Sequence, residues 1–127
     1  MIGIDLVEVG RIRRALERRP RLAERLFTAG ELDYARGRRR PAMHLAARFA
    51  AKEAAVKALA GEVVSLRDIE VEGGGSEPPR IRLHGAAAEA ASRRGVTLDV
   101  SLTHTRELAA AVVQARPATP ARQRLSD

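Results

Sequence analysis

The chain has 127 residues, with 23 Lys and Arg against 16 Asp and Glu, a formal net charge of +7. That length specifies one domain with a modest core that association with further copies would enlarge, and the absence of cysteine excludes a disulfide framework and any thiolate metal site. No apolar run approaches the ~20 residues of a membrane span and no signal-peptide pattern is present, so a cytoplasmic protein is expected, with a basic excess that favours an acidic partner.

In chain order the pattern is α+β: a single compact domain with a small antiparallel sheet packed on helices. Residues 2–7 read as a strand in which Ile2, Ile4 and Leu6 alternate as the buried face, which puts Asp5 on the opposite face beside Gly3. A helix is expected from Glu8 to Arg19, stopped by Pro20. Arg11, Arg14 and Arg18 project from one side of it at i, i+3 and i+7, and Arg21 and Arg25 extend the basic character; a solvated face and a docking face for an acidic partner both account for such a stripe. Thr28 with Glu31 three residues later is a capping box that opens a short helix through Tyr34. After a basic loop at 36–40, Pro41 stands in the first turn of a long alanine-rich helix, for which Gly61 supplies the C-terminal cap. Strands at 65–72 and 81–83 flank a turn holding Gly73, Gly74, Gly75, Pro78 and Pro79. A helix over 86–93 ends at Gly95, Leu98, Val100 and Leu102 alternate in a further strand, and residues 104–107 turn into a last apolar strand through Val113. The domain is expected over 1–115, with 116–127 a disordered tail.

The long helix carries four charges, Arg48, Lys52, Glu53 and Lys57, among alanines. At about 100° per residue Leu45, Phe49, Val56 and Leu59 form one stripe with Lys52 in its middle and Arg48 at its edge, while Glu53 and Lys57 lie one turn apart on an adjacent face. The alanines elsewhere let neighbouring elements approach closely, so burial nearly all round is expected. An ordinary i,i+4 pair and a snorkelling lysine account for these charges on an exposed helix. On a buried one they require a counter-charge or a metal, which points to an anionic ligand.

Three blocks in order, residues 3–12 (GIDLVEVGRI), 48–54 (RFAAKEA) and 101–105 (SLTHT), resemble the holo-acyl-carrier-protein synthases, small phosphopantetheinyl transferases. The resemblance continues through residues 28–32 and 68–71 and spans residue 2 to about Val113. It implies transfer of the 4′-phosphopantetheine group of coenzyme A to a serine of an apo acyl carrier protein of fatty acid biosynthesis, releasing adenosine 3′,5′-bisphosphate.

Two hard carboxylates, Asp5 and Glu53, suit Mg²⁺ and not zinc, and because Mg²⁺ completes its shell with waters and substrate phosphates, so small a ligand set implies a phosphorylated substrate. By the resemblance, Asp5 and Glu53 are the metal ligands, and Glu53 also serves as a candidate acceptor of the serine proton. Lys57 is assigned to the diphosphate and its leaving-group charge, Arg48 and Lys52 to supporting phosphate contacts, and His104 to the coenzyme or to proton transfer. Arg11, Arg18 and Arg21 are the expected contacts for the acidic carrier protein, whose carboxylates match the guanidinium fork. The resemblance also implies a homotrimer with the coenzyme at its interfaces, His104 reaching it from the neighbouring subunit. Residues 60–64 form a shorter connection than the family's glycine-rich loop, and the scarcity of aromatics leaves stacking on adenine unassigned.

Two other readings compete. A small basic nucleic-acid-binding protein rests on net charge alone, against which stand the 16 interspersed acidic residues and only three Phe or Tyr for base stacking. The other is a degenerate trimer that binds coenzyme A without turnover. Neither nucleic acid nor membrane is the expected partner.

Overall fold

The structure is a computed structural model and describes residues 1–62 and 64–119. Strand β1 (Ile2–Glu8) leads into α1 (Val9–Arg18), two short helices α2 (Leu22–Leu26) and α3 (Ala29–Arg36), and the long α4 (Pro41–Ala58). A 3-10 turn (Leu66–Asp68) precedes the hairpin of β2 (Ile69–Gly74) and β3 (Glu77–Leu83), after which come α5 (Gly85–Arg94), β4 (Val96–His104) and β5 (Leu108–Pro117). Both sheets are antiparallel: β1, β5 and β4 lie in the order β1-β5-β4, and β2 and β3 form a two-stranded ribbon. Arg116 and Pro117, assigned to the tail on composition, pair with Thr97 and Val96 at the end of β5. The remainder of that expected tail from Pro120 onward lies outside the described residues.

Helix α4 is the centre of the core. Its alanines at 46, 47, 50, 51, 54, 55 and 58 are buried, and it packs against β1 and β5 on one side and α1, α3 and β2 on others. Small side chains are what permit this. At Gly3 a Cβ would stand 1.8 Å from the carbonyl oxygen of Ala54, a separation no other residue could accept, so β1 lies directly on the α4 backbone. The helix starts with Pro41 at its first position, where the missing N–H costs nothing. It ends in a Schellman arrangement: Gly61 N–H donates to Val56 O at 2.9 Å and Ala60 N–H to Lys57 O at 3.0 Å. The left-handed position falls on Ala60 (φ 57°) as well as on Gly61 (φ 75°), so the cap expected from Gly61 alone begins one residue earlier on a residue with a Cβ.

The first strand reverses one expectation. Ile2, Ile4 and Leu6 are 62–64% exposed, whereas Gly3 and Val7 face α4 and are buried. The close β1–α4 approach explains the reversal, because only the face bearing Gly3 fits against the helix. Asp5 is therefore on the core-facing side, half-buried, as the alternation requires once Gly3 points inward. The displaced apolar face continues onto β5 through Leu108 and Val112, 42% and 41% exposed, with Ile4 directly opposite Val112.

The capping box at α3 forms as the sequence specifies: Thr28 Oγ1 accepts from Glu31 N–H and the Glu31 carboxylate accepts from Thr28 N–H. Helix α2 and the 3-10 turn are additions to the sequence reading; α2 has only five residues and no buried side chain, too short for a periodic signal.

Candidate active site

Asp5 on β1 and Glu53 on α4 are brought to one cleft by the strand–helix contact at Gly3. Both line a cavity of about 690 Å³ that also takes in Arg11 and an apolar wall including Ile12, Leu26 and Phe49. Glu53 is held above its ordinary carboxylate value, first by burial and then by the negative charge of Asp5, and Lys57 only partly offsets both. Lys57, one turn further along α4, donates from Nζ to the carbonyl oxygen of Ile4 at 2.8 Å and lies 3.5 Å from Asp5 Oδ1. Two carboxylates close enough to repel, with one ammonium beside them, suit a hard divalent cation that takes its other ligands from water and substrate. Among the described residues no group of three or more His, Cys, Asp or Glu is placed to hold a metal alone.

Lys52 is not part of this cleft. Its side chain is fully buried, its Nζ lies 2.7 Å from Glu31 Oε1, and it donates to the carbonyl oxygens of Leu66 at 2.9 Å and Ile69 at 2.5 Å. All three ammonium donors are thereby used, which corrects the expectation that Lys52 supports a substrate phosphate. The buried charge does meet a counter-charge, but an internal one: Glu31, 1% exposed, whose second oxygen accepts from Val71 N–H at 2.8 Å. Burial lowers the affinity of Lys52 for its proton, and Glu31 opposes that shift. The pair ties α3, α4 and β2 together and fixes the rotation of α4, and with it the direction of Glu53 on the next residue.

Arg48 is likewise buried, at 3% exposure. Its Nη2 donates to Gly73 O at 2.8 Å, its guanidinium lies 4.0 Å from the Tyr34 ring centroid, and its Nε is buried with no hydrogen-bond partner among the described residues. It belongs to a second cluster with Tyr34, His44 and His104. The His44 ring stacks edge-on with His104 at 5.2 Å and with Tyr34 at 5.6 Å, and the Arg38 guanidinium lies 4.4 Å from the Tyr34 ring centroid. His104 Nδ1 is buried without a hydrogen-bond partner among the described residues. Burial first, then the charges of His104, Arg38 and Arg48, holds His44 below its ordinary value. Sequence reading assigned His44 and Tyr34 no role; the available signal was that His44 stands one turn before Arg48 on the same face of α4. Glu53, five residues after Arg48, points about 140° around the helix from it. The Asp5–Glu53–Lys57 group and the Arg48–His104 group therefore occupy different sides of α4 within one chain.

The arginine stripe is exposed throughout: Arg11, Arg14, Arg18, Arg21 and Arg25 all face solvent, while Val9 and Ile12 bury the other side of α1. Arg11 stands at the carboxylate cleft, and Arg21 and Arg25 line a separate basic groove with Arg19. His84 pairs with Glu70 at 2.8 Å, and Glu70 also accepts from Thr28 Oγ1 at 2.7 Å. Burial pushes the Glu70 carboxyl up, but these bonds together with the charges of His84 and Arg82 outweigh it and hold the carboxyl below its ordinary value.

With this geometry the chain can be set beside known proteins. The family model of the 4′-phosphopantetheinyl transferase superfamily matches residues 1–113. A holo-[acyl-carrier-protein] synthase from Moorella thermoacetica is 45% identical over 113 residues, covering 87% of this chain and 88% of that protein. Among solved structures, the acyl carrier protein synthase of Mycobacterium tuberculosis superposes with a TM-score of 0.74 at 40% identity, covering 91% of this chain and 96% of that one. The Helicobacter pylori holo-[acyl-carrier-protein] synthase in complex with coenzyme A gives a TM-score of 0.78 at 29% identity, covering 91% of this chain and all of that one. The chain belongs to the holo-acyl-carrier-protein synthase family of the 4′-phosphopantetheinyl transferase superfamily.

Proposed function

We propose that this chain transfers the 4′-phosphopantetheine group of coenzyme A to a serine hydroxyl of an apo acyl carrier protein of cytoplasmic fatty acid synthesis, with Mg²⁺ held by Asp5 and Glu53. The single observation that carries the reading is the meeting of Asp5, Glu53 and Lys57 in one cleft, in a chain whose relatives are holo-acyl-carrier-protein synthases. The serine oxygen bonds to the phosphorus bearing the pantetheine arm as the bond to the bridging oxygen breaks, and adenosine 3′,5′-bisphosphate leaves. Such a transfer asks for positioning and charge neutralisation more than for covalent catalysis. Mg²⁺ supplies Lewis-acid neutralisation of the diphosphate. Lys57 binds the diphosphate oxygens and offsets leaving-group charge. Glu53 takes the serine proton directly or through a water. The apolar wall of Ile12, Leu26 and Phe49 beside the carboxylates excludes water from the reacting groups.

The same reading makes the protein a homotrimer with shared sites. Two observations support it: the β1–β5 face of Ile2, Ile4, Leu6, Leu108 and Val112 is apolar and exposed, and the carboxylate and His104 groups lie on different sides of α4. A coenzyme reaching both groups then does so across two copies, with Arg48 acting through the His104 cluster. The exposed stripe of Arg11, Arg18 and Arg21 receives the acidic carrier protein.

The test is chromatographic detection of adenosine 3′,5′-bisphosphate. Its formation is expected to require both coenzyme A and apo carrier protein, to stop in excess chelator, and to accompany a species of three subunit masses in sedimentation. Product formed at full rate in chelator contradicts the metal assignment, and a fully active monomer contradicts the shared site.

A further inference from the structure

Lys57 occupies an unusual place for a residue assigned to substrate phosphate. Its ammonium is turned back onto β1, anchored at 2.8 Å on the carbonyl oxygen of Ile4 and 3.5 Å from Asp5 Oδ1. The first distance is that of a charge-assisted hydrogen bond; the second exceeds the 2.7–2.9 Å typical of one, so the lysine neutralises Asp5 without locking it. The consecutive residues Ile4 and Asp5 thus direct two hard oxygens at one cation, the kind of donor a divalent ion takes from a protein. The Lys57 side chain is 55% exposed and that of Asp5 21%, so the flexible stem can swing to solvent while the carboxylate stays in the cleft. An ammonium 3.5 Å from Asp5 Oδ1 repels a divalent ion brought to the same carboxylate and so weakens its binding.

We propose that the Lys57 ammonium is a resident cation of the Asp5–Glu53 pair that must leave before a divalent ion can bind there, and that the coenzyme diphosphate draws it away. The inference rests on the assignment of Asp5 and Glu53 as metal ligands and adds an order to the site. Lysine opposes ion binding while the coenzyme is absent. When the diphosphate arrives, the same ammonium moves to the phosphate oxygens and the carboxylates are freed, so ion and coenzyme strengthen each other's binding.

The experiment measures Mn²⁺ binding to the intact protein by titration calorimetry at pH 8, with and without coenzyme A, for wild type, Lys57→Met and Lys57→Gln. Without coenzyme, both neutral variants are expected to bind Mn²⁺ at least about tenfold more tightly than wild type. The gain in Mn²⁺ affinity on adding coenzyme, large in wild type, is expected to shrink in the variants. Lys57→Arg, which keeps the charge, is expected to stay weak without coenzyme. Equal or weaker coenzyme-free binding in both neutral variants overturns the inference while leaving the ligands intact. Mn²⁺ binding that survives Asp5→Asn in both the wild-type and Lys57→Met backgrounds overturns the metal assignment itself, and the inference with it.

Discussion

Lys52 and Glu53 are adjacent in sequence and opposite in purpose. Lys52 and Glu31 are both removed from water and are stable only together, since a buried charge without its partner carries its full desolvation cost. Glu31→Gln is therefore expected to lower stability by about 3–5 kcal/mol in chemical denaturation, well beyond the ~1 kcal/mol of a typical substitution. Glu53 acts in the other sense. Its folded-state proton affinity is raised above the ordinary value of 4.5 by burial and by Asp5. As pH rises past that value, the unfolded chain ionises first while the folded one holds its proton, so stability falls through the window just above 4.5 and stays lower beyond it. Glu53→Gln is thus expected to raise the melting temperature at neutral pH in chelator, and to flatten the decline of stability with rising pH in that window. The same change, like Asp5→Asn, is expected to cost at least about a hundredfold in transfer rate through loss of a proposed metal ligand. A Glu53→Gln protein that melts lower than wild type contradicts this assignment of strain to the site.

Helix α4 and strand β1 form the device that positions the site, and the tolerance of their contact is small. Gly3→Ala places a methyl carbon 1.8 Å from the Ala54 carbonyl oxygen, which forces the two backbones apart. A cost of about 1–3 kcal/mol is expected, with a roughly hundredfold loss of rate because Asp5 moves relative to Glu53. At the other end of α4, Ala60 holds a left-handed conformation that glycine adopts freely, so Ala60→Gly is expected to gain about 1 kcal/mol in thermal unfolding without loss of activity. These elements also mark how far the sequence was legible. The helices α1, α3, α4 and α5 were readable from caps, proline and periodicity, and the pairing of Asp5 with Glu53 from residue type and the family resemblance. The orientation of β1 was not, because alternation fixes that Asp5 and Ile4 face opposite ways but not which face meets the helix; Gly3 decides that, and a glycine carries no hydropathy signal. Lys52 could not be told from a ligand-binding lysine for a similar reason. Its counter-charge, Glu31, was already accounted for as a cap, and only the fold brings it beside α4.

For the whole molecule, charge and apolar surface divide the labour. The basic stripe on α1 suits an acidic carrier protein, so Arg18→Glu is expected to raise the KM for carrier with kcat less affected, and wild-type KM is expected to rise with salt. A salt-independent KM contradicts that docking face. The exposed apolar β1–β5 face is the surface assigned to the proposed trimer. Glu53→Ala and His104→Ala damage groups on different sides of α4, so co-refolding the two impaired proteins is expected to restore activity at those interfaces that receive an intact residue from each copy. No recovery despite verified subunit mixing contradicts sharing. The most direct measurement of the central claim is the mass of an apo carrier protein incubated with the chain, coenzyme A and Mg²⁺. The account predicts a gain of one phosphopantetheine group on its serine with the wild-type chain, and an unmodified carrier with folded Asp5→Asn. An unmodified carrier with the wild-type chain, or conversion at the wild-type rate by Asp5→Asn, contradicts it.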